Sequence, residues 1–209
     1  MQLYDFPFSP NSRKVRAVVY ELGLAVEQVH VDLLAGKQRQ PTFLALNPNG
    51  RVPVLVDGEL VLWESTAIMR YLARGSALLP TEPKAAADVD RWVAWQLAHL
   101  GPAMSKVAFE RLVKVELGKG PPDEAKIAEG TAEFHAQCEI LDAALAGKDH
   151  VAGTLSIADF ALAAHLSLAS ACRLDLGRHP RVEAWLARVA ARDSMRRALS
   201  EARIIRAAS

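Results

Sequence analysis

The stretch Asn47–Ala73, NPNGRVPVLVDGELVLWESTAIMRYLA, constrains the chain more than any other. Two short apolar runs, Val52–Val56 and Leu60–Trp63, flank Asp57-Gly58, a two-residue hairpin signal because glycine tolerates positive φ. Behind them come Glu64-Ser65 and apolar residues at Ala67, Ile68, Tyr71 and Leu72, a helical spacing with Ser65 where an N-cap belongs. Pro53 cannot donate to a strand ladder, so it belongs at a strand start or edge. A cis Val52-Pro53 bond would turn the chain and leave the backbone groups of Val52 free to pair with another peptide. The helix N-terminus would offer N–H groups and a positive dipole end to a carboxylate. Taken singly, Pro53 can simply start a strand and Ser65 can simply cap a helix. The joint order is more specific than its parts, and it describes a site for a small anionic peptide.

Upstream, Gln2–Phe6 reads as a buried strand and Pro7–Pro10 as a turn. From Ser12, apolar residues at Val15, Val18, Val19 and Leu22 predict a helix ended by Gly23. Val29, Val31 and Leu33 alternate as a strand does, Gly36–Gln40 is a polar loop, and Pro41–Leu46 is a short helix. With the hairpin and its helix the order is β-α-β-α-β-β-α, the arrangement of the thioredoxin fold. In that fold the loop after the first strand shares the first helix's N-terminal dipole and carries the chemistry. Here it reads Phe8-Ser9-Pro10-Asn11-Ser12-Arg13, with no cysteine before Cys138. Dithiol exchange by the chain's own loop residues is excluded. A hydroxyl at Ser9 can instead donate to a sulfur bound from outside, favouring thiolate over thiol; a Ser-Pro pair can equally be an ordinary turn.

The remaining two thirds reads as helices. Leu79-Pro80-Thr81-Glu82-Pro83 is a proline-rich linker, and Ala85–Leu117 is one long helix that Gly101-Pro102 should kink. Ile127, Thr131, Phe134, Cys138, Leu141 and Leu145 form the seam of a helix packed antiparallel to it, with Cys138 a buried apolar residue. Ser156-Ile157-Ala158-Asp159 fits a capping box opening the helix Phe160–Ser170, and Val182, Trp185, Leu186 and Val189 mark a later helix begun near Pro180. The arginine cluster Arg188–Arg206 reads as a solvated face with a frayed tail. The resulting division is 1–77 thioredoxin-like, 78–84 linker and 85–209 all-helical.

Composition narrows the partners. Lys plus Arg total 25 against 24 for Asp plus Glu, a net charge of +1, so nothing argues for nucleic acid. The longest uncharged apolar stretch, Phe160–Cys172, is too short to span a bilayer. No secretory leader is legible, two cysteines make no disulfide framework, and the histidines make no ligand pair at metal spacing. The expectation is a cytoplasmic chain with no metal and no membrane partner.

The segments FSPNSRKVR, FLALNPNGRVPVL, ESTAIMRYLA and SIADF make the chain resemble a glutathione transferase over nearly its whole length, with a serine-type, phi-like pattern. That resemblance implies a thioredoxin-like domain followed by a helical bundle, a homodimer, and attack by the glutathione thiolate on hydrophobic electrophiles in a detoxifying role. By motif position, Ser9 resembles the serine that hydrogen-bonds the sulfur, with Asn11 beside it. Val52, before Pro53, resembles the residue whose backbone pairs with the cysteinyl part, and Glu64 and Ser65 resemble the pair holding the γ-glutamyl end. Gln38 and Arg39 fall where the pattern has His-Lys near the glycyl carboxylate, and Arg51 where it often has Gln. Asn49 replaces an aromatic that can key into the partner subunit, so a dimer needs another contact. Phe8, Leu34, Met104, Val107, Ala108 and Arg111 are expected to offer an apolar substrate surface, Met104 and Val107 being equally placed for bundle core. Asn11 keeps open a glutathione-dependent disulfide-bond reductase or peroxidase of the same fold. A non-catalytic glutathione or hydrophobic-ligand binder is the third reading.

Overall fold

The computed structural model describes residues 1–208, and side chains through Glu201. In chain order the first elements are β1 (Gln2–Asp5), α1 (Pro10–Glu21), β2 (Glu27–His30), a 3-10 turn (Lys37–Arg39), α2 (Pro41–Leu44), β3 (Val54–Asp57), β4 (Leu60–Trp63) and α3 (Ser65–Ala73). A long helical run follows as α4 (Pro83–Trp95), α5 (Gly101–Ala108) and α6 (Lys114–Glu116), joined by π-turns at Gln96–Leu100 and Phe109–Val113. The remaining helices are α7 (Glu124–Ala144), α8 (Ile157–Leu166), α9 (Pro180–Ala190) and α10 (Asp193–Ala208). The chain divides into two compact units, Met1–Leu79 with Ala191–Ser209, and Pro80–Ala190.

The first unit is the expected thioredoxin-like arrangement. Its sheet has the order β2-β1-β3-β4, with β1 parallel to β2 and antiparallel to β3, and β3 antiparallel to β4. Leu3 faces Leu55 and Val56 faces Val61, and Asp57 pairs with Leu60, so the two turn residues are Gly58 and Glu59 rather than Asp57 and Gly58. Gly58 has φ +59, the positive value that the hairpin turn demands. Leu3, Leu55, Val15, Val18, Ile68 and Met69 are fully buried and join the sheet to the inner faces of α1 and α3. Asp5 is also fully buried, because β1 alternates and points it inward, where the Arg16 guanidinium holds it in a two-pronged ion pair.

The last helix departs from the expected division. It packs on α1 within the first unit instead of joining the helical domain. Arg192 and Ser194 converge on the Glu21 carboxylate, and Glu201 accepts from Arg16 and from the Tyr20 hydroxyl. Arg197 lies over the Tyr20 ring at 4.0 Å. The expected solvated arginine face is therefore partly an interface; Arg203 and Arg206 lie outside the residues whose side chains are described.

The second unit packs its helices around Phe134, Cys138, Leu141, Ile157, Phe160 and Trp185, all at most 1 % exposed. The kink expected at Gly101-Pro102 is a widened turn. Proline supplies no N–H and its ring crowds the preceding turn, and the Gly101 N–H reaches back five residues to the Gln96 carbonyl. A Cβ on Gly101 would lie 2.9 Å from that same oxygen, so the turn closes only over glycine. The seam of α7 uses Gly130 where the apolar count gives Thr131, because α5 approaches there: a Cβ on Gly130 would stand 2.9 Å from Val107 Cγ2 and 3.2 Å from the Ala103 carbonyl. Gly130→Leu is expected to force α5 and α7 apart and cost about 1–3 kcal/mol in urea denaturation; an unchanged midpoint would contradict this close approach.

Candidate active site

Ser9 is the N-cap of α1, and Pro10 supplies the first helical residue with its φ already set. The Ser9 Oγ accepts from the Ser12 N–H at 3.4 Å, which leaves its own proton to donate. Ser12, fully buried, accepts from the Phe6 N–H at 3.3 Å and so ties the end of β1 to the first turn of α1. One residue into that turn, Asn11 Oδ1 accepts from the Ser65 hydroxyl at 3.4 Å. The N-termini of α1 and α3 thus sit side by side, with their orphan N–H groups and positive dipole ends together.

The α3 start differs in register from the expectation. Glu64, not Ser65, is the N-cap, and Ser65 is the first helical residue, 6 % exposed. Glu64 has φ 71 and ψ 107, a backbone that costs a side-chain-bearing residue about 1–3 kcal/mol and that clusters at ligand-holding sites. Its carboxylate is left exposed, because no cap bond to the helix engages it. Thr66 Oγ1 is buried beside it with no hydrogen-bond partner.

The Val52-Pro53 bond is cis, so of the two options open to Pro53 it is not a plain strand start. Strand pairing begins at Val54, so the backbone of Val52 is outside the ladder. The turn before it is organised by buried Asn47, whose Nδ2 donates to the Arg51 carbonyl at 2.7 Å while its Oδ1 accepts from the Asn49 N–H at 3.0 Å. The tight turn brings Gly50, with φ +59, under Arg39: a Cβ there would be 3.0 Å from Arg39 Nη1. Arg39 and Arg51 are exposed, and Gln38 Oε1 is buried without a partner. Phe8 packs on the cluster of Phe6, Val31, Phe43, Val52 and Val54.

The first unit therefore brings together Ser9, Asn11 and Ser65 around two helix N-termini, and Gln38, Arg39 and Arg51 around the Gly50 turn. The expected apolar surface is less uniform. Leu34 is 50 % exposed, Phe8, Ala108 and Arg111 are half-buried, and Met104 and Val107 have almost no exposed surface. Val107 packs on Gly130, and Arg111 donates to the Cys172 and Arg173 carbonyls, so both serve the helical unit.

Two residues that the sequence reading passed over also shape the site. Asn47 sets the turn that presents Val52. Lys14 is fully buried, and burial pushes its ammonium down to about 8, with the Glu64 carboxylate drawing it back up. A signal existed for Lys14: it lies four residues before Val18, on the inner stripe of α1. Among the described residues no group of three or more His, Cys, Asp or Glu side chains is placed to hold a metal ion, and no helix is long and apolar enough to cross a membrane.

Against known proteins, the family description "Glutathione S-transferase, N-terminal domain" matches residues 1–74, and "Glutathione S-transferase, C-terminal domain" matches 124–188. Glutathione S-transferase 3 of Zea mays is 38 % identical, the match covering 96 % of this chain and 93 % of that protein. The crystal structure of glutathione transferase F7 from Populus trichocarpa superposes with a TM-score of 0.88 at 30 % identity, over 96 % of this chain and 98 % of that one. A glutathione transferase family member from Pseudomonas fluorescens, solved with two glutathione bound, gives 0.84 at 29 % identity, over 95 % and 91 %. The chain belongs to the glutathione S-transferase family, and it is a transferase with that family's two-part fold.

Proposed function

We propose that the protein binds glutathione on its first unit, holds the thiol as thiolate at Ser9, and transfers it to small hydrophobic electrophiles. The observation that carries this is the pairing of the α1 and α3 N-termini through Asn11 and Ser65, next to a serine whose hydroxyl proton is uncommitted. A γ-glutamyl carboxylate would take the α3 N–H groups and Ser65, and the ammonium of the same residue would take the Glu64 carboxylate. The Val52 backbone would pair with the cysteinyl residue beyond Pro53, and Arg39, Arg51 and Gln38 would meet the glycyl carboxylate. That leaves the sulfur over the α1 N-terminus, where the Ser9 proton and the dipole favour negative charge. No general base is needed once the thiolate is formed, and orientation against an apolar partner supplies the rest.

Ser65→Ala is expected to weaken S-methylglutathione binding about tenfold by titration calorimetry, a loss of about 1.4 kcal/mol. Intact affinity would remove the anchor. Asn11, fixed beside Ser65, favours disulfide-bond reduction as the second reading, since its amide could meet the second sulfur of a mixed disulfide. Turnover of an aryl halide faster than that of a glutathione mixed disulfide supports transfer; the reverse order supports reduction. A cytoplasmic homodimer completes the proposal. Leu60, Val61 and Trp63, each about two-fifths exposed on the sheet-edge strand β4, offer the contact that Asn49 does not.

A further inference from the structure

Within the second unit, α7 meets the segment leading into α9 at two histidines. His135 Nδ1 lies 3.0 Å from His179 Nε2, with ring centroids 5.2 Å apart and planes tilted by 32°. His179 is 4 % exposed, and the Phe134 ring stands edge-on to His135 at 5.3 Å. The pair ties the C-terminal end of residues 172–179 to α7, while Cys172 and Leu174 at the other end are buried. There Arg111 donates to the Cys172 and Arg173 carbonyls, and Arg173 holds a left-handed backbone at φ 53. Two turns along α7 from His135, Asp142 accepts from the N–H groups of Arg181 and Val182 and from the Arg181 guanidinium.

A nitrogen–nitrogen contact at this distance needs one hydrogen between the rings. With no added proton, one neutral imidazole donates and the other accepts. With one added proton, an imidazolium donates to an imidazole and the contact survives. With two, both facing nitrogens carry hydrogen and must separate. The charged groups acting on His135 are Glu139 on α7 and Asp175 and Arg178 on the approaching segment; Asp142 and Arg181 pair with each other further along α7. Burial, then Arg178 and His179, hold the His135 imidazole below the usual histidine range, with Asp175 and Glu139 pulling the other way.

We propose that His135 and His179 form an acid-released latch, holding residues 172–179 to α7 with zero or one bound proton and letting go on the second. The device is separate from the transferase reaction and does not depend on any assignment at Ser9. Its sign follows from linkage. The folded pair disfavours the doubly charged state, so its contribution to stability is present above the ordinary histidine pKa of about 6.5 and is lost as pH falls through and below it.

Hydrogen–deuterium exchange, corrected for intrinsic rate, at about pH 7.5 and about pH 5 tests this on wild type, His179→Gln and His135→Gln. Glutamine keeps one hydrogen bond to the remaining ring and cannot take the second proton. In wild type, peptides over 172–179 should lose about tenfold in protection at the lower pH while α8 keeps its own; in both glutamine variants the two pH values should agree. His135→Gln, at the more exposed position, carries the test if His179→Gln folds poorly. Equal protection of wild type at both pH values, or the same acid loss in a folded glutamine variant, would overturn the latch.

Discussion

Asp159→Ala is expected to lower the unfolding free energy by about 3–5 kcal/mol. The carboxylate is fully buried and joins three parts of the helical unit. One oxygen accepts from the Val151 N–H at 3.1 Å and from Trp185 Nε1 at 2.9 Å; the other accepts from the Ser156 N–H at 2.9 Å and the Ser156 hydroxyl at 3.2 Å. The reciprocal capping box of Ser156 and Asp159 starts α8, while the same side chain anchors α9 through Trp185 and the preceding loop through Val151. Alanine would leave two backbone donors and an indole N–H buried without acceptors, each costing about 1–3 kcal/mol before relaxation. Asp159→Asn keeps one carbonyl oxygen and should fall between alanine and wild type. Urea denaturation followed by Trp fluorescence reads the difference, and a loss below about 1 kcal/mol for alanine would show that this junction is not where the bundle is fastened.

Ser9→Ala is expected to spare glutathione binding and raise the pKa of the bound thiol by about one to two units. A charge-assisted hydrogen bond contributes about 1.5–3 kcal/mol, and one pKa unit corresponds to about 1.4 kcal/mol. Transfer measured below the restored thiol pKa should drop by about ten- to a hundredfold in kcat and recover as pH rises, because the missing thiolate can be supplied by alkali. Ultraviolet titration of bound glutathione against pH measures the shift directly. An unaltered pKa in the variant would move the sulfur contact to Asn11 or to the α1 N–H groups. Tight binding without any pKa depression in wild type would leave a glutathione binder or a disulfide reductase.

The features legible in the sequence are those written locally. The cis option at Val52-Pro53, the hairpin at Gly58 and the Ser156–Asp159 box each depend on a few adjacent residues whose backbone options are few, whereas α1 begins at Pro10, two residues before the expected Ser12. What was displaced depends on partners far along the chain. The shift of the α3 cap from Ser65 to Glu64 follows from a strained backbone that no propensity rule would select. Gly130 replaces Thr131 on the α7 seam because an apolar count cannot register a residue whose contribution is the absence of a side chain. The burial of Lys14 was masked by its charge, although its position on the α1 stripe pointed inward. The docking of α10 was masked for the same reason: Arg192 and Arg197 look like solvated charges until Glu21 and Tyr20, about 170 residues earlier, are brought to them.

That docking makes the first unit a discontinuous one, with the whole second unit, Pro80–Ala190, spliced into it. A chain emerging from the ribosome presents β1 to α3 first, and Arg16 can pair with Asp5 at once, yet Arg16, Tyr20 and Glu21 meet their α10 partners only when residues 192–201 have been made. The helical unit, whose ties through Asp159 and Asp142 are internal, has been fully synthesised before that moment. Synthesis order and assembly order are thereby crossed: the half translated first is the half finished last.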